Sequence, residues 1–124
     1  YLDKIDAPDI IAPVKEFFET QRNEKGGLTF DGIFANTDQQ GYLSMKILRE
    51  MGFRVPEDVQ VLGFDGIYKH GIDNGVLFLS SMCQPVEALA QLCVELLLKK
   101  RQGEVVPTLS LLPVTYAYGG TTKE

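Results

Sequence analysis

Short apolar runs alternating with amphipathic stretches place this chain in the α/β class, as a βαβ lobe built on a parallel sheet. Three observations carry that expectation. Strand-like runs fall at 2–5, 31–36, 59–64, 76–81 and 109–118, with helical periodicity between most of them. Capping and turn residues sit at the junctions. The length of 124 residues, with 44% apolar and 23% charged residues, suits one ordinary domain with its own core.

The elements follow in order. Residues 2–5 read as a strand already under way, and the first residue is Tyr1 rather than Met. Together these lead us to expect a chain cut from a longer protein. Asp6 is placed to cap a helix over 9–22, with Pro8 in its first turn and Ile10, Ile11, Val14, Phe17 and Phe18 at helical spacing. After the strand at 31–36, Thr37-Asp38 opens a helix to about Met51, with Leu43, Ile47, Leu48 and Met51 as its core stripe. Gly52 suits the left-handed position past its end. Val55-Pro56-Glu57-Asp58 is a turn, 59–64 a buried strand, and Asp65-Gly66 its break. Residues 67–75 are loop-like. Gln84-Pro85 opens a long helix to about Arg101, with Val86, Leu89, Ala90, Cys93, Leu96 and Leu97 on one face and Gly103 past its end. Pro113 interrupts the last strand, as an edge or a bulge would allow.

Charge and composition exclude several classes of function. The net charge is −5, and the basic residues are scattered apart from Lys99-Lys100-Arg101, which complements a helix C-terminus rather than a phosphate backbone. Cys83 and Cys93 lack metal-ligand spacing; one disulfide is conceivable, and Cys93 reads as a small buried hydrophobe. No apolar run reaches the roughly 20 residues that span a bilayer. No signal peptide is visible, and a start cut from a longer chain would hide one. His70 lies in a polar loop without a nucleophile beside it. Gly63-Phe64-Asp65-Gly66 is no phosphate-binding pattern, since no helix follows it directly. No enzyme, metal or cofactor is expected.

Folds of this class bind ligands at the carboxyl ends of strands. That rule selects Ile5-Asp6-Ala7, Asn36-Thr37-Asp38 and Phe64-Asp65-Gly66. Asp38 reads as an N-cap or first-turn residue, or as one of two carboxylates serving a cation or acid–base chemistry with Asp65. Asp65 reads as the start of an Asp-Gly turn or as a ligand-facing carboxylate that accepts hydroxyl hydrogens, as sugar recognition requires. Tyr42 and Met45 form a second apolar line on their helix, either widening the core or marking an interface.

Four stretches then resemble LacI/GalR-type bacterial transcription regulators. They are Gly32-Ile33-Phe34-Ala35-Asn36-Thr37-Asp38, the long run Arg54-Val55-Pro56-Glu57-Asp58-Val59-Gln60-Val61-Leu62-Gly63-Phe64-Asp65, the Ser80-Ser81-Met82-Cys83-Gln84-Pro85 crossover, and Leu111-Leu112-Pro113-Val114. Their order and spacing agree across nearly the whole chain.

The resemblance implies a type I periplasmic-binding-protein-like fold, a pair of lobes with an effector in the cleft. It assigns 1–83 and 109–124 to the C-terminal lobe and the helix at 85–102 to an N-terminal lobe that is mostly absent. It implies effector contacts from Asp65, Gln84 and Thr37, with Asp6 at a neighbouring strand end. Thr37 stands where many members carry Asn, and Ala7 near where some carry an aromatic platform. It turns Tyr42 and Met45 toward a dimer interface. Operator DNA would be bound by a helix-turn-helix domain outside this segment. The implied protein is a cytoplasmic homodimeric regulator, a repressor by expectation, that responds to a sugar or sugar phosphate. The alternative is a periplasmic or extracellular sugar-binding protein of a transport system, which shares the fold.

Overall fold

The structure, a computed structural model, describes residues 8–67 and 79–123. Along the chain it runs α1 (Pro8–Thr20), β1 (Gly32–Phe34), α2 (Asp38–Glu50), β2 (Gln60–Asp65), β3 (Ser80–Cys83), α3 (Val86–Arg101) and β4 (Thr115–Ala117). The expected strand at 2–5, the cap Asp6, Ala7, His70 and most of the 67–75 loop lie outside the described residues.

The sheet has four strands in the order β1-β2-β3-β4. β1, β2 and β3 are parallel, with Phe34 opposite Leu62 and Leu62 opposite Ser80. The parallel sheet expected is seen in β1 to β3, and β4 is its exception, pairing antiparallel to β3. Thr115 lies opposite Cys83, so the returning strand begins where β3 ends and runs back along it. The chain leaves β3 through α3 and comes home from the same end, which forces the reversal.

Side chains alternate across the pleat, so the register sorts them into two faces. One face carries Ile33, Val61, Leu79 and Ser81; Val61 and Leu79 join the core under α2. There Leu43, Ile47 and Leu48 of α2 and Phe18 of α1 close the cluster. Each fully buried aliphatic side chain of this kind contributes about 1.5–3 kcal/mol relative to exposure. The other face carries Phe34, Leu62, Phe64, Met82 and Tyr116. Phe34 and Phe64 meet edge to face there, ring centres 6.4 Å apart.

Several boundaries moved. α1 stops at Thr20 and exposes Ile10 and Phe17, since only Phe18 reaches the core while Ile11 and Val14 pack beside it. Of the strand expected at 76–81, residues 76–78 lie outside the described residues; β3 runs on past Ser81 to Cys83, and the Ser80 and Ser81 hydroxyls find partners inside. The strand expected at 109–118 shrinks to Thr115–Ala117 at the edge of the sheet, and Leu109 and Leu111 stand exposed. Gly52, at φ +88°, and Gly103, at φ +82°, occupy the left-handed positions past α2 and α3.

Thr121 closes the base of the sheet. Its hydroxyl donates to the Val61 carbonyl at 2.7 Å and accepts the Ser80 N–H at 2.9 Å, while its own carbonyl accepts the Val61 N–H at 2.8 Å. One buried threonine thus satisfies backbone groups of β2 and β3 that the strand pairing leaves open.

Candidate functional site

The segment 54–65 builds the site from a clamped turn, a buried strand and a strained end. Arg54 grips Asp58 three times: backbone N–H to Oδ2 at 2.8 Å, Nε to Oδ2 at 3.0 Å and Nη2 to Oδ1 at 2.6 Å. The Arg54 side-chain hydrogen bonds, then its backbone N–H, hold the Asp58 carboxyl down at about 2. Val59 and Val61 sink into the core and deliver the chain to Asp65.

Asp65 ends β2 at φ +107°, a left-handed backbone that a non-glycine residue adopts only when its surroundings hold it there. Its Oδ1 accepts a hydrogen bond from Gln84 Nε2 at 2.6 Å, joining the ends of β2 and β3. Both side chains are half-buried. Sequence reasoning named both residues, and the fold brings them together. One carboxylate oxygen fixed by an amide leaves the other to accept hydrogens from a hydroxylated ligand.

Thr37 is the N-cap of α2, its hydroxyl accepting the Gln40 N–H at 3.3 Å. Thr37 lies three residues beyond Phe34, as Asp65 lies three beyond Leu62, and Phe34 and Leu62 are register partners. Both therefore stand at the same carboxyl end of the sheet. The capping bond uses the Thr37 oxygen as acceptor and leaves its O–H to donate.

Of the two helix-start readings of Asp38, the first-turn one holds: Asp38 is the first helical residue and Thr37 the cap. Asp38 is fully buried. Its Oδ1 accepts the Ser81 hydroxyl hydrogen at 2.5 Å and its Oδ2 accepts the Ile67 N–H at 2.5 Å. A carboxylate engaged in this way binds the fold together rather than a cation. Among the described residues no group of three His, Cys, Asp or Glu side chains is placed to hold a metal ion. The sequence places Ser81 in a strand and in the crossover that follows, with no role for its hydroxyl. A serine pair inside an otherwise apolar strand was the signal of a buried polar partner.

Met45 corrects the interface expectation. At 2% exposure it is core, packed among Leu43, Ile47 and Leu48, and offers nothing to a second chain. α2 approaches the sheet closely enough for Gly41 to lie against Leu79, which turns Met45 inward. Tyr42 is half-buried against the same cluster. Cys93 is corrected too. It is an exposed free thiol, because no part of α3 is buried among the described residues. Cys83 is a buried free thiol.

The model of the periplasmic binding protein-like domain matches residues 5–122, and the chain belongs to that family. It is 34% identical over 84 residues to the sucrose operon repressor of Streptococcus mutans serotype c, covering 68% of this chain and 26% of that protein. Its structure superposes with a TM-score of 0.72 on a LacI family transcriptional regulator from Arthrobacter sp. FB24 in complex with lactose. That match has 26% identity and covers 91% of this chain and 40% of the other. A lac repressor dimer bound to operator and the anti-inducer ONPF matches with a TM-score of 0.70 and 26% identity, over 90% of this chain and 36% of that one. The resemblance to LacI/GalR-type regulators is borne out. The chain spans about a quarter of the length of the curated relatives it matches. Among the described residues no helix is long and apolar enough to cross a membrane.

Proposed function

We propose that this chain is the effector-sensing portion of a LacI/GalR-type transcription regulator that responds to a sugar. The observation that carries the reading is Asp65, held at φ +107° at the carboxyl end of β2 with its carboxylate fixed by Gln84. Relatives that are sugar-operon repressors, and a lactose-bound neighbour, support the ligand class. The transport-protein alternative has less support from the same relatives.

Asp65, Gln84 and Thr37 contact the ligand from this lobe. Residues 1–83 and 109–124 form that lobe, and the helix at 85–102 belongs to a second lobe that supplies the other wall. Support for the division comes from α3, whose Val86, Val94, Leu97 and Leu98 are exposed in this chain. Ligand binding between the lobes favours one lobe arrangement and so alters the spacing of DNA-binding domains in a homodimer. The shift is bounded by the ligand's differential affinity for the two arrangements. No bond is made or broken.

The test is calorimetric titration of the complete protein with sucrose, ribose and lactose. Asp65→Ala is expected to weaken the sugar that binds by about 10- to 100-fold, the effect of losing a hydrogen bond to a charged group. Operator binding without sugar should stay within about twofold, since no contact to DNA is lost. Unchanged sugar affinity in the variant would remove Asp65 from the site.

A further inference from the structure

A fully buried residue, Asp38, lies behind the turn that follows Asp65. The backbone at Asp65 is strained, and the turn after it is tight, with Gly66 at φ +76°. Such a turn keeps its shape only when neighbouring groups over-determine it. Here the determining groups converge on Asp38. The Ile67 N–H donates to Asp38 Oδ2, and the Gly66 N–H donates to Ser81 Oγ at 3.1 Å. Ser81 Oγ in turn donates to Asp38 Oδ1. The two amides that follow Asp65 are therefore both tied to one carboxylate, one directly and one through a hydroxyl.

The surroundings are shaped for that carboxylate. A Cβ at Gly63 would lie 2.4 Å from Asp38 Oδ1 and 3.2 Å from the Asp38 Cα, so only glycine leaves room for it. A Cβ at Gly66 would lie 2.5 Å from Cys83 Sγ, which pins the turn onto β3. Asp38 and Ser81 are both fully buried. An ionised carboxylate without solvent is unfavourable unless its hydrogen bonds are complete. A buried network of this kind fixes one geometry, since any other would leave a donor or the carboxylate unpaired.

We propose that Asp38, acting with Ser81, is a positioning residue for Asp65: it sets the strained turn that aims the effector-contacting carboxylate and its Gln84 partner. This rests on the reading of Asp65 as an effector contact. Asp38 touches no ligand, and its influence passes through the Gly66 and Ile67 amides.

The test has two arms, both on the complete protein. The first needs no ligand. Hydrogen–deuterium exchange read by mass spectrometry should show the Gly66 and Ile67 amides exchanging about tenfold faster in Asp38→Asn, with 43–48 unchanged. Ser81→Ala, a milder lesion if Asp38→Asn folds poorly, should speed the Gly66 amide. The second arm titrates sucrose, ribose and lactose into wild type, Asp38→Asn, Asp65→Ala and the double variant. Asp38→Asn should weaken the sugar that binds by about tenfold in the wild-type background and by less than about twofold in the Asp65→Ala background. Any loss of thermal stability should be the same in both backgrounds. Equal affinity losses in the two backgrounds would overturn the proposal, because Asp38 would then act without Asp65. Unchanged exchange at 66–67 would overturn it as well. If Asp65→Ala itself leaves sugar affinity unchanged, the effector reading fails separately. The exchange arm then decides alone whether Asp38 holds the turn.

Discussion

α3 is more apolar in sequence than α2, yet the two end in the opposite states from those that difference would suggest. α2 buries Leu43, Met45, Ile47 and Leu48 against β2 and Leu79, while α3 buries no residue. Leu97 on α3 is 67% exposed, whereas Leu48 on α2 is 0%. The apolar side chains of α3 also spread over most of its circumference, the pattern of a helix covered on more than one side. The difference teaches that an apolar stripe announces cover without naming its source. α2 finds its cover in this chain, and among the described residues α3 does not.

Core truncation should separate the two helices most sharply. Leu48→Ala is expected to cost about 2–5 kcal/mol in urea unfolding of this chain. Leu97→Ala in the same chain should stay within about 0.5 kcal/mol, as for any exposed side chain. In the complete protein the Leu97→Ala loss should rise toward the core value. A large Leu97→Ala loss in the isolated chain would show that α3 is covered from within it.

A smaller effect is expected at the base of the sheet beneath α2. Thr121→Val keeps the volume but strands the Ser80 N–H and the Val61 carbonyl, and should cost about 1–3 kcal/mol in the same unfolding experiment. A neutral outcome would mean that water reaches these groups.

The smallest effect lies on the surface, in the turn that feeds β2. The Asp58 carboxyl is lowered from 3.8 to about 2 by its hydrogen bonds from Arg54. A depressed folded value means stabilisation that is present above pH 3.8 and is lost as pH falls through about 2. Asp58→Asn should flatten that portion of the acid unfolding profile and lower stability slightly at neutral pH, where the stabilisation is present, while matching wild type in strong acid. The pair is open to solvent and weakened by salt. An identical acid profile in the variant would show that the clamp persists in the unfolded chain.

Much of the fold was legible from local pattern. Val59 and Val61 alternate with less buried neighbours, Gly52 stops a helix, and Leu43, Ile47 and Leu48 repeat at helical spacing, so the elements over 32–65 fall close to where they were expected. Asp65 was visible because a strand-end carboxylate is a local signal, whereas Gln84 was named only through the family resemblance of its crossover. Met45 was misread because helical spacing does not say how closely a helix approaches its sheet. The direction of β4 was hidden because pairing across a 16-residue helix is a long-range choice. Asp38 was legible as a helix-start residue but not as a buried hub, since Ser81 and Ile67 meet it from 43 and 29 residues away.

By itself, then, the sequence determined the α/β class, the order of the described elements and the strand ends that Thr37 and Asp65 follow. Periodicity and turn chemistry act over a few residues, and those features depend on little else. Only the tertiary structure decided that β4 runs antiparallel, that Met45 is core, that α3 lacks cover within the described residues, and that Asp38 ties down the turn carrying Asp65. Each of those depends on which distant groups meet, and hydrogen bonding and close packing settle that only once the chain has closed on itself.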